Sequence, residues 1–587
     1  MVIATNRGHR RDNPNCTLGA GNSLILNGML LSAISMPEPT ANPPMEQRIV
    51  QFLADERTLS NKYDLEYCRR DMDRFDAFYR QALDGLKTVD FGGLTSDGKL
   101  DYVLFKNSVS SRMDDLARRE SELAKIQPFI PFAERINQLE LDRRAVAPPN
   151  QQRIAEQVSA LATEVSHTEA SIKAESRVDK LDAYRASKAL GSLSRSLETW
   201  FDFYRGYDPL FSWWVPEPYK RATAALADYR RYLTESVVGF REGDSSAMIG
   251  DAVGRDALVS QLQREMVSYT PEELIAIADK EYAWCEKEMK KASHEMGFGD
   301  DWKKALDKVR NDYVPPGEEP QLIKGLADEA IEYVTKNDLV TVPPMATEGW
   351  TMEMMSPERQ LVNPFFTGGR TISVSFPTAE MSQDQKEMSL RANNRHFDRA
   401  TVFHELIPGH CLQDYYESRY HTYRPQLDYN PFWIEGWAFY WEMLLYDRGF
   451  FKTPEDRVGS LFWRMHRCAR IVFSLKFHLK EWTAEQCVQY LVDRVGHERF
   501  TAEGEVRRSI LGDYPPLYQV AYMIGALQFR QLHHDLVDSG KLTNKQFHDR
   551  ILEAGQMPVE LVRAMLGEES LSPDFSTNWK FYGNLTP

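Results

Sequence analysis

From Met45 to about Tyr204, apolar residues recur at every third and fourth position with charge between them, which is the spacing of one buried helix face. RIVQFLADERTL, DLEYCRRDMDRFDAFYRQAL and ESELAKIQPFIPFAERINQLELDRRA all follow this rule. Within 150–203, Ile154, Val158, Leu161, Val165 and Ile172 form one helical stripe, as expected for packing in a bundle. GYDPLFSWWVPEP (206–218) interrupts the pattern and reads as a buried connector or a cleft wall, and helices resume at Tyr219. Thr270-Pro271-Glu272-Glu273 predicts a helix start: Thr caps, Pro suits the first turn and Glu273 completes a capping box.

The texture changes between Leu339 and Pro377. DLVTVPP, WTMEMM and RTISVSFP are β-branched or alternating, are bounded by Gly and Pro, and predict short strands. Gly368-Gly369 reads as a turn into an exposed strand over 371–376. Near the C-terminus, DYPPLYQVAYMIGALQFRQL carries Tyr514, Tyr518 and Tyr522, and a helix there brings at least Tyr518 and Tyr522 to one face. The expected fold is mainly α, a large multi-helix fold with a small β-sheet. Residues 1–44 are expected to be a disordered extension, 45–265 a helical N-terminal subdomain and 266–587 a second subdomain.

Composition narrows the class. The chain has 587 residues, of which 42% are hydrophobic and 27% charged, as in ordinary globular proteins. Its net charge of −15 repels phosphate backbones, so nucleic acid is not an expected partner. The six cysteines are scattered without a C-x-x-C pair, which argues against a disulfide framework and a thiolate metal site. Arg7, Arg10 and Arg11 precede a mildly apolar run, but Asn27 and Gly28 break it, so a signal peptide is not convincing and the cytoplasm is favoured over secretion. No uninterrupted apolar stretch is long enough for a membrane span.

The chemistry concentrates in TVFHELIPGHCLQ (401–413). His404 and His410 offer neutral imidazoles, the donors zinc prefers, and Glu405 offers a base for water. The histidines stand at i and i+6, which on an unbroken helix puts them about 120° apart, too divergent to share one ion. Pro408 lacks the N–H that would bond the His404 carbonyl, so a break at Pro408-Gly409 is expected to swing His410 back. A buried helix with two hydrogen-bonded histidines is the competing reading. EGWAFYWE weighs against it, because Glu435 and Glu442 share the face of a very apolar helix, where carboxylates are rarely buried alone. One as third ligand and the other as acceptor for a ligand histidine accounts for both. Cys411, His396, His466, His478, His533, His534 and Asp447 are expected to be structural or solvent-facing.

HELIPGH followed by EGWAFYWE resembles the bacterial domain of unknown function 885 family, whose pattern is H-E-x-x-P-G-H and then E-G-W-A-x-Y-x-E. That family is similar to gluzincin metallopeptidases, which implies a gluzincin/oligopeptidase-like fold with a deep cleft and the sheet beside the metal-binding helices. The resemblance implies zinc held by His404, His410 and Glu435, with Glu405 as base and Glu442 supporting a ligand histidine. It further implies Tyr522, or else Tyr518, as donor to the oxyanion. It also suggests that Ser373 and Val374 receive an extended substrate at a strand edge. The expected reaction is hydrolysis of a peptide or small amide. Other chemistry on the same metal scaffold, or a helical binding protein without turnover, are the alternative readings.

Overall fold

The computed structural model describes residues 44–584 except 242–247, 249, 361–364, 512–513 and 568, so the extension expected over 1–44 lies outside the described residues apart from Pro44. The chain is mainly helical, with 70% of it in helix and one small two-stranded parallel sheet.

The helix starts follow local chemistry. Thr95 caps Ser96–Ile126, Asn150 caps Gln151–Ala174 and Asp179 caps Lys180–Tyr204, each accepting from backbone N–H groups of the first turn. Thr270 forms the expected capping box at the head of Pro271–Glu295. In Gln151–Ala174 the buried side chains include Val158, Leu161, Val165 and Ile172.

The hydrophobic core falls into two large clusters, with a small third one of Leu65, Cys68 and Leu141. Ile126 to Val238 form a separate helical cluster, whereas residues from Met45 to Val109 join those from Leu258 onward in the large core. The long helix Ser96–Ile126 therefore has one end in each. The 206–218 segment is buried only in part, with Phe211 and Val215 among its buried residues. Asp208 caps a short helix, Pro209–Trp214, on which Trp213 is 80% exposed.

In the large core, helix Pro454–His478 packs along both Pro271–Glu295 and Arg395–Glu405, while Pro431–Asp447 packs along Tyr518–His533. The last contact is close because glycines meet: a Cβ on Gly436 would lie 2.6 Å from the Cα of Gly525. Strands β1 (Thr351–Met354) and β2 (Thr371–Val374) pair in parallel register, Thr351 opposite Thr371. DLVTVPP forms no strand; its Thr341 is tied instead to Asp549 through both N–H and hydroxyl.

Two expectations for histidines need correction. His396 is buried, with Nδ1 2.7 Å from Asp456 and Nε2 3.0 Å from Asp312. His533 is also buried, with Nε2 2.9 Å from Asn544 Oδ1, whereas His534 is exposed. A carboxylate pair and an amide supply the partners that let these rings leave water.

Candidate metal centre

The helix Arg395–Glu405 ends one residue after His404, and a new helix, His410–Glu417, begins at the second histidine. Between them the Ile407–Pro408 peptide is cis. Gly409 lies against the last turn, its N–H donating to Phe403 O at 3.0 Å, and a Cβ at this position would overlap the His404 carbonyl. The Pro408 carbonyl accepts a 2.9 Å hydrogen bond from Trp437 Nε1, so the EGWAFYWE helix also holds the break in place.

This turn brings the rings of His404 and His410 to 4.9 Å between centroids, at 88° to one another. Both Nε2 atoms face one carboxylate oxygen: Glu435 Oε2 lies 3.4 Å from that of His404 and 3.3 Å from that of His410. Asn430 starts the helix that carries Glu435 by accepting from Trp433 N at 2.8 Å. Glu405 completes the cluster, with ligand-type atoms of Glu405, His404 and His410 all within 4.8 Å of one another. The Thr367–Gly369 loop wraps Glu405: Gly369 N–H donates to its carbonyl at 3.2 Å, and a Cβ on Gly368 would collide with it.

The opposite ring nitrogens are already committed. His404 Nδ1 donates to Glu442 Oε1 at 2.8 Å, and His410 Nδ1 donates to Gln413 Oε1 at 3.0 Å. The orientation of Gln413 is set by its Nε2, which donates to Trp433 O at 3.3 Å. With Nδ1 protonated, the neutral form of each ring presents its Nε2 lone pair. Both point at Glu435 Oε2, which is buried and makes no hydrogen bond of its own. Three acceptors gathered in this way need a positive charge among them, which a metal ion or a proton on an imidazole supplies. Burial opposes charge on His404, yet Glu435 and Glu442 hold its pKa up at about 9, so in the absence of a metal ion this ring carries the positive charge. Burial likewise works against ionised Glu435, but His410 and His404 hold its carboxyl well below the usual range. The donor set and spacing fit a divalent ion.

Tyr518 donates its hydroxyl to Glu435 Oε1, and Tyr522 donates to the Tyr518 oxygen at 3.3 Å. The Tyr522 ring lies nearly parallel to His404 at 6.1 Å. Burial pushes the Tyr522 hydroxyl up to about 12, so it stays a donor. A cavity of ≈ 190 Å³ opens onto these groups, lined also by Thr367, Gly368, Glu405 and Tyr429.

Ser373 and Val374 do not join them. Both are buried, and Ser373 already exchanges two main-chain hydrogen bonds with Thr367, at 2.8 and 3.1 Å. The exposed edge expected over 371–376 is therefore closed at Ser373 by the chain itself, and Thr367 and Gly368 face the cavity instead. Cys411 is buried, outside that lining, and burial pushes its thiol up to about 11. Gln413 and the arginines Arg467, Arg470 and Arg508, which also line the cavity, escaped the sequence reading. Gln413 stands at i+3 from His410, a spacing that signals contact on a helix. Arg464, Arg467 and Arg470 recur every third residue between the apolar stretches of one long helix, an equally readable sign.

A mainly helical fold built around a buried cluster of two histidines and a glutamate is the class that this geometry defines. The chain belongs to the family described as "Bacterial protein of unknown function (DUF885)", whose model matches residues 65–566. Among solved structures it is similar to a "putative lipoprotein of unknown function" from Shewanella oneidensis, at 19% identity and a TM-score of 0.67, covering 90% of this chain and 100% of that one. A "putative lipoprotein" from Colwellia psychrerythraea matches at 14% identity and a TM-score of 0.53, covering 89% of this chain and 98% of the other. At such identities the likeness carries the fold alone. No curated protein matches the sequence. Among the described residues, no helix is long and apolar enough to cross a membrane.

Proposed function

We propose that this protein is a zinc-dependent hydrolase of the gluzincin kind that cleaves a peptide or amide bond. The observation that carries the reading is the convergence of His404 Nε2, His410 Nε2 and Glu435 Oε2, with two edges of 3.3 and 3.4 Å. Donors 2.0–2.1 Å from a tetrahedral ion are separated by roughly 3.3 Å.

When bound, zinc supplies a Lewis acid that polarises a carbonyl and makes water acidic enough to attack near neutral pH. The chain's own groups supply the rest. Glu405, beside the ligand cluster and close under Gly368, takes the proton from the attacking water and delivers it to the leaving nitrogen. Glu442 and Gln413 hold the two imidazoles in the tautomer that leaves Nε2 free. Tyr518 is spent on orienting Glu435. Tyr522, whose longer 3.3 Å bond to Tyr518 is the weaker commitment, turns its hydroxyl to the developing oxyanion.

The test is metal analysis of purified protein together with a Glu405→Gln variant. The variant is expected to keep one zinc per chain and to lose on the order of 10² to 10⁴ in turnover of its best peptide. Equal turnover in variant and parent, or activity that needs a redox metal and spares every amide, overturns the reading. As to location, two fold neighbours described as lipoproteins favour the cell envelope over the cytoplasm. Fractionation of the producing cells checks this.

A further inference from the structure

We infer that Arg467, Arg470 and Arg508 form a subsite for a free carboxylate of the substrate, so that the bond cleaved lies next to a carboxyl-terminal residue. The inference rests on the hydrolase reading and adds the substrate class. The three guanidinium groups line the same cavity as His404 and Glu435, yet are only 4%, 2% and 8% exposed. A guanidinium carries five donors and is strongly penalised when buried without acceptors.

Among the described residues, few acceptors come within hydrogen-bond distance of them. Arg470 spends Nε and Nη2 on Glu505 Oε2 and leaves Nη1 without a partner. Arg467 makes no hydrogen bond to any described residue; the nearest carboxylate oxygen, Glu442 Oε1 at 3.7 Å, already accepts from His404. Among the described residues, the carboxylate oxygen nearest Arg508 is Glu505 Oε1, at 3.6 Å. Its Nε and that of Arg467 are buried and unpartnered. Among the described residues, Glu442 and Glu505 are the carboxylates within 4 Å of these three cations, and aromatic rings supply further contact: Arg467 and Arg470 lie 4.5 and 4.6 Å from the Tyr522 centroid, and Arg508 lies 4.7 Å from that of Tyr514. Ring faces attract a cation but do not accept its hydrogens in the plane of the fork, whereas a carboxylate does so bidentately.

Position sets which bond is cut. Tyr522 touches Arg467 and Arg470 and also lies beside His404, so anion site and metal donors are neighbours of one side chain. One extended residue spans only about 3.3–3.6 Å, so a carboxylate held there leaves little chain before the reacting carbonyl. The ≈ 190 Å³ cavity is smaller than the roughly 300–1,000 Å³ of pockets for larger ligands, which suits a short substrate. In the reaction, water oxygen bonds to the acyl carbon, the C–N bond breaks and a proton passes to the leaving nitrogen. A new carboxylate and a free amino acid result, with no oxidation or reduction.

The test uses the full chain loaded with zinc and a set of N-acetyl dipeptides, each as free acid and as carboxyl-terminal amide. The free acid is expected to exceed its amide in kcat/KM on the order of 100-fold, and Arg467→Met or Arg508→Met should collapse that ratio towards one. Acid and amide cleaved equally by the unaltered protein overturns the subsite and leaves the hydrolase standing. If neither is cleaved, the hydrolase reading suffers and calorimetry decides the subsite separately. N-acetylalanine binding at least tenfold tighter than N-acetylalaninamide supports it, and equal or absent binding of the two overturns it.

Discussion

At His404 and His410 the ring nitrogen that faces away from the cluster is bonded before anything binds at the other, and this decides the chemistry of both. A histidine whose Nδ1–H is held by a carboxylate or amide oxygen has no choice of tautomer. His548 follows the same logic with another result: Nδ1 donates to Leu339 O at 2.8 Å, and Nε2 accepts from Tyr440 at 2.9 Å. Here burial, with no carboxylate to oppose it, drives the pKa down to about 3. The unfolded ring binds a proton below about 6.5 and the folded ring only near 3, so its contribution to stability is complete above the higher value and is lost as pH falls between the two. By pH 5 this loss amounts to about 2 kcal/mol. Thermal unfolding of parent and His548→Gln at pH 7.5 and pH 5 checks it: the variant is expected to start lower but to lose less on acidification.

At the scale of elements, the candidate metal cluster depends on two departures from regular packing. One is the break between Arg395–Glu405 and His410–Glu417, which turns the second imidazole towards the first and is braced by Trp437. The other is the glycine contact that seats the Glu435 helix against Tyr518–His533, the element whose Tyr518 orients the same carboxylate. Gly436→Ala places a methyl 2.6 Å from the Gly525 Cα, and because backbone stands on the far side the helices must separate. The variant is expected to lose about 1–3 kcal/mol of stability and to bind zinc more weakly, as read by denaturant melts and chelator competition. Unchanged metal affinity shows that the spacing of these helices does not position Glu435.

On the scale of the whole molecule, the cluster Ile126–Val238 has its own interior, joined to the large core through the helix Ser96–Ile126. The residues that converge on the metal centre all belong to the large core or its cavity. Leu161, fully buried in the smaller cluster, separates the two. Leu161→Ala is expected to cost about 2–5 kcal/mol in the unfolding of that cluster while the metal content stays that of the parent protein. A variant that loses its metal together with stability would show the two cores to unfold as one.

Much of this was open to reading along the chain, because helical spacing, capping and donor type are local properties. The stripe through Val158, Leu161 and Val165, the box at Thr270, the H-E and P-G-H residues and the two glutamates of one helix all declare themselves within a few positions. A chain read in one dimension does not say which segments meet. Packing alone decided that Glu435, and not Glu442, faces both imidazoles, that Tyr518 spends its hydroxyl on a carboxylate, that Thr367 covers the main chain of Ser373 and that three distant arginines share a wall with the histidines. Local sterics and hydrogen bonding set the period and ends of a helix. Burial of its faces against others sets the direction in which its side chains point, and that is where the chemistry is made.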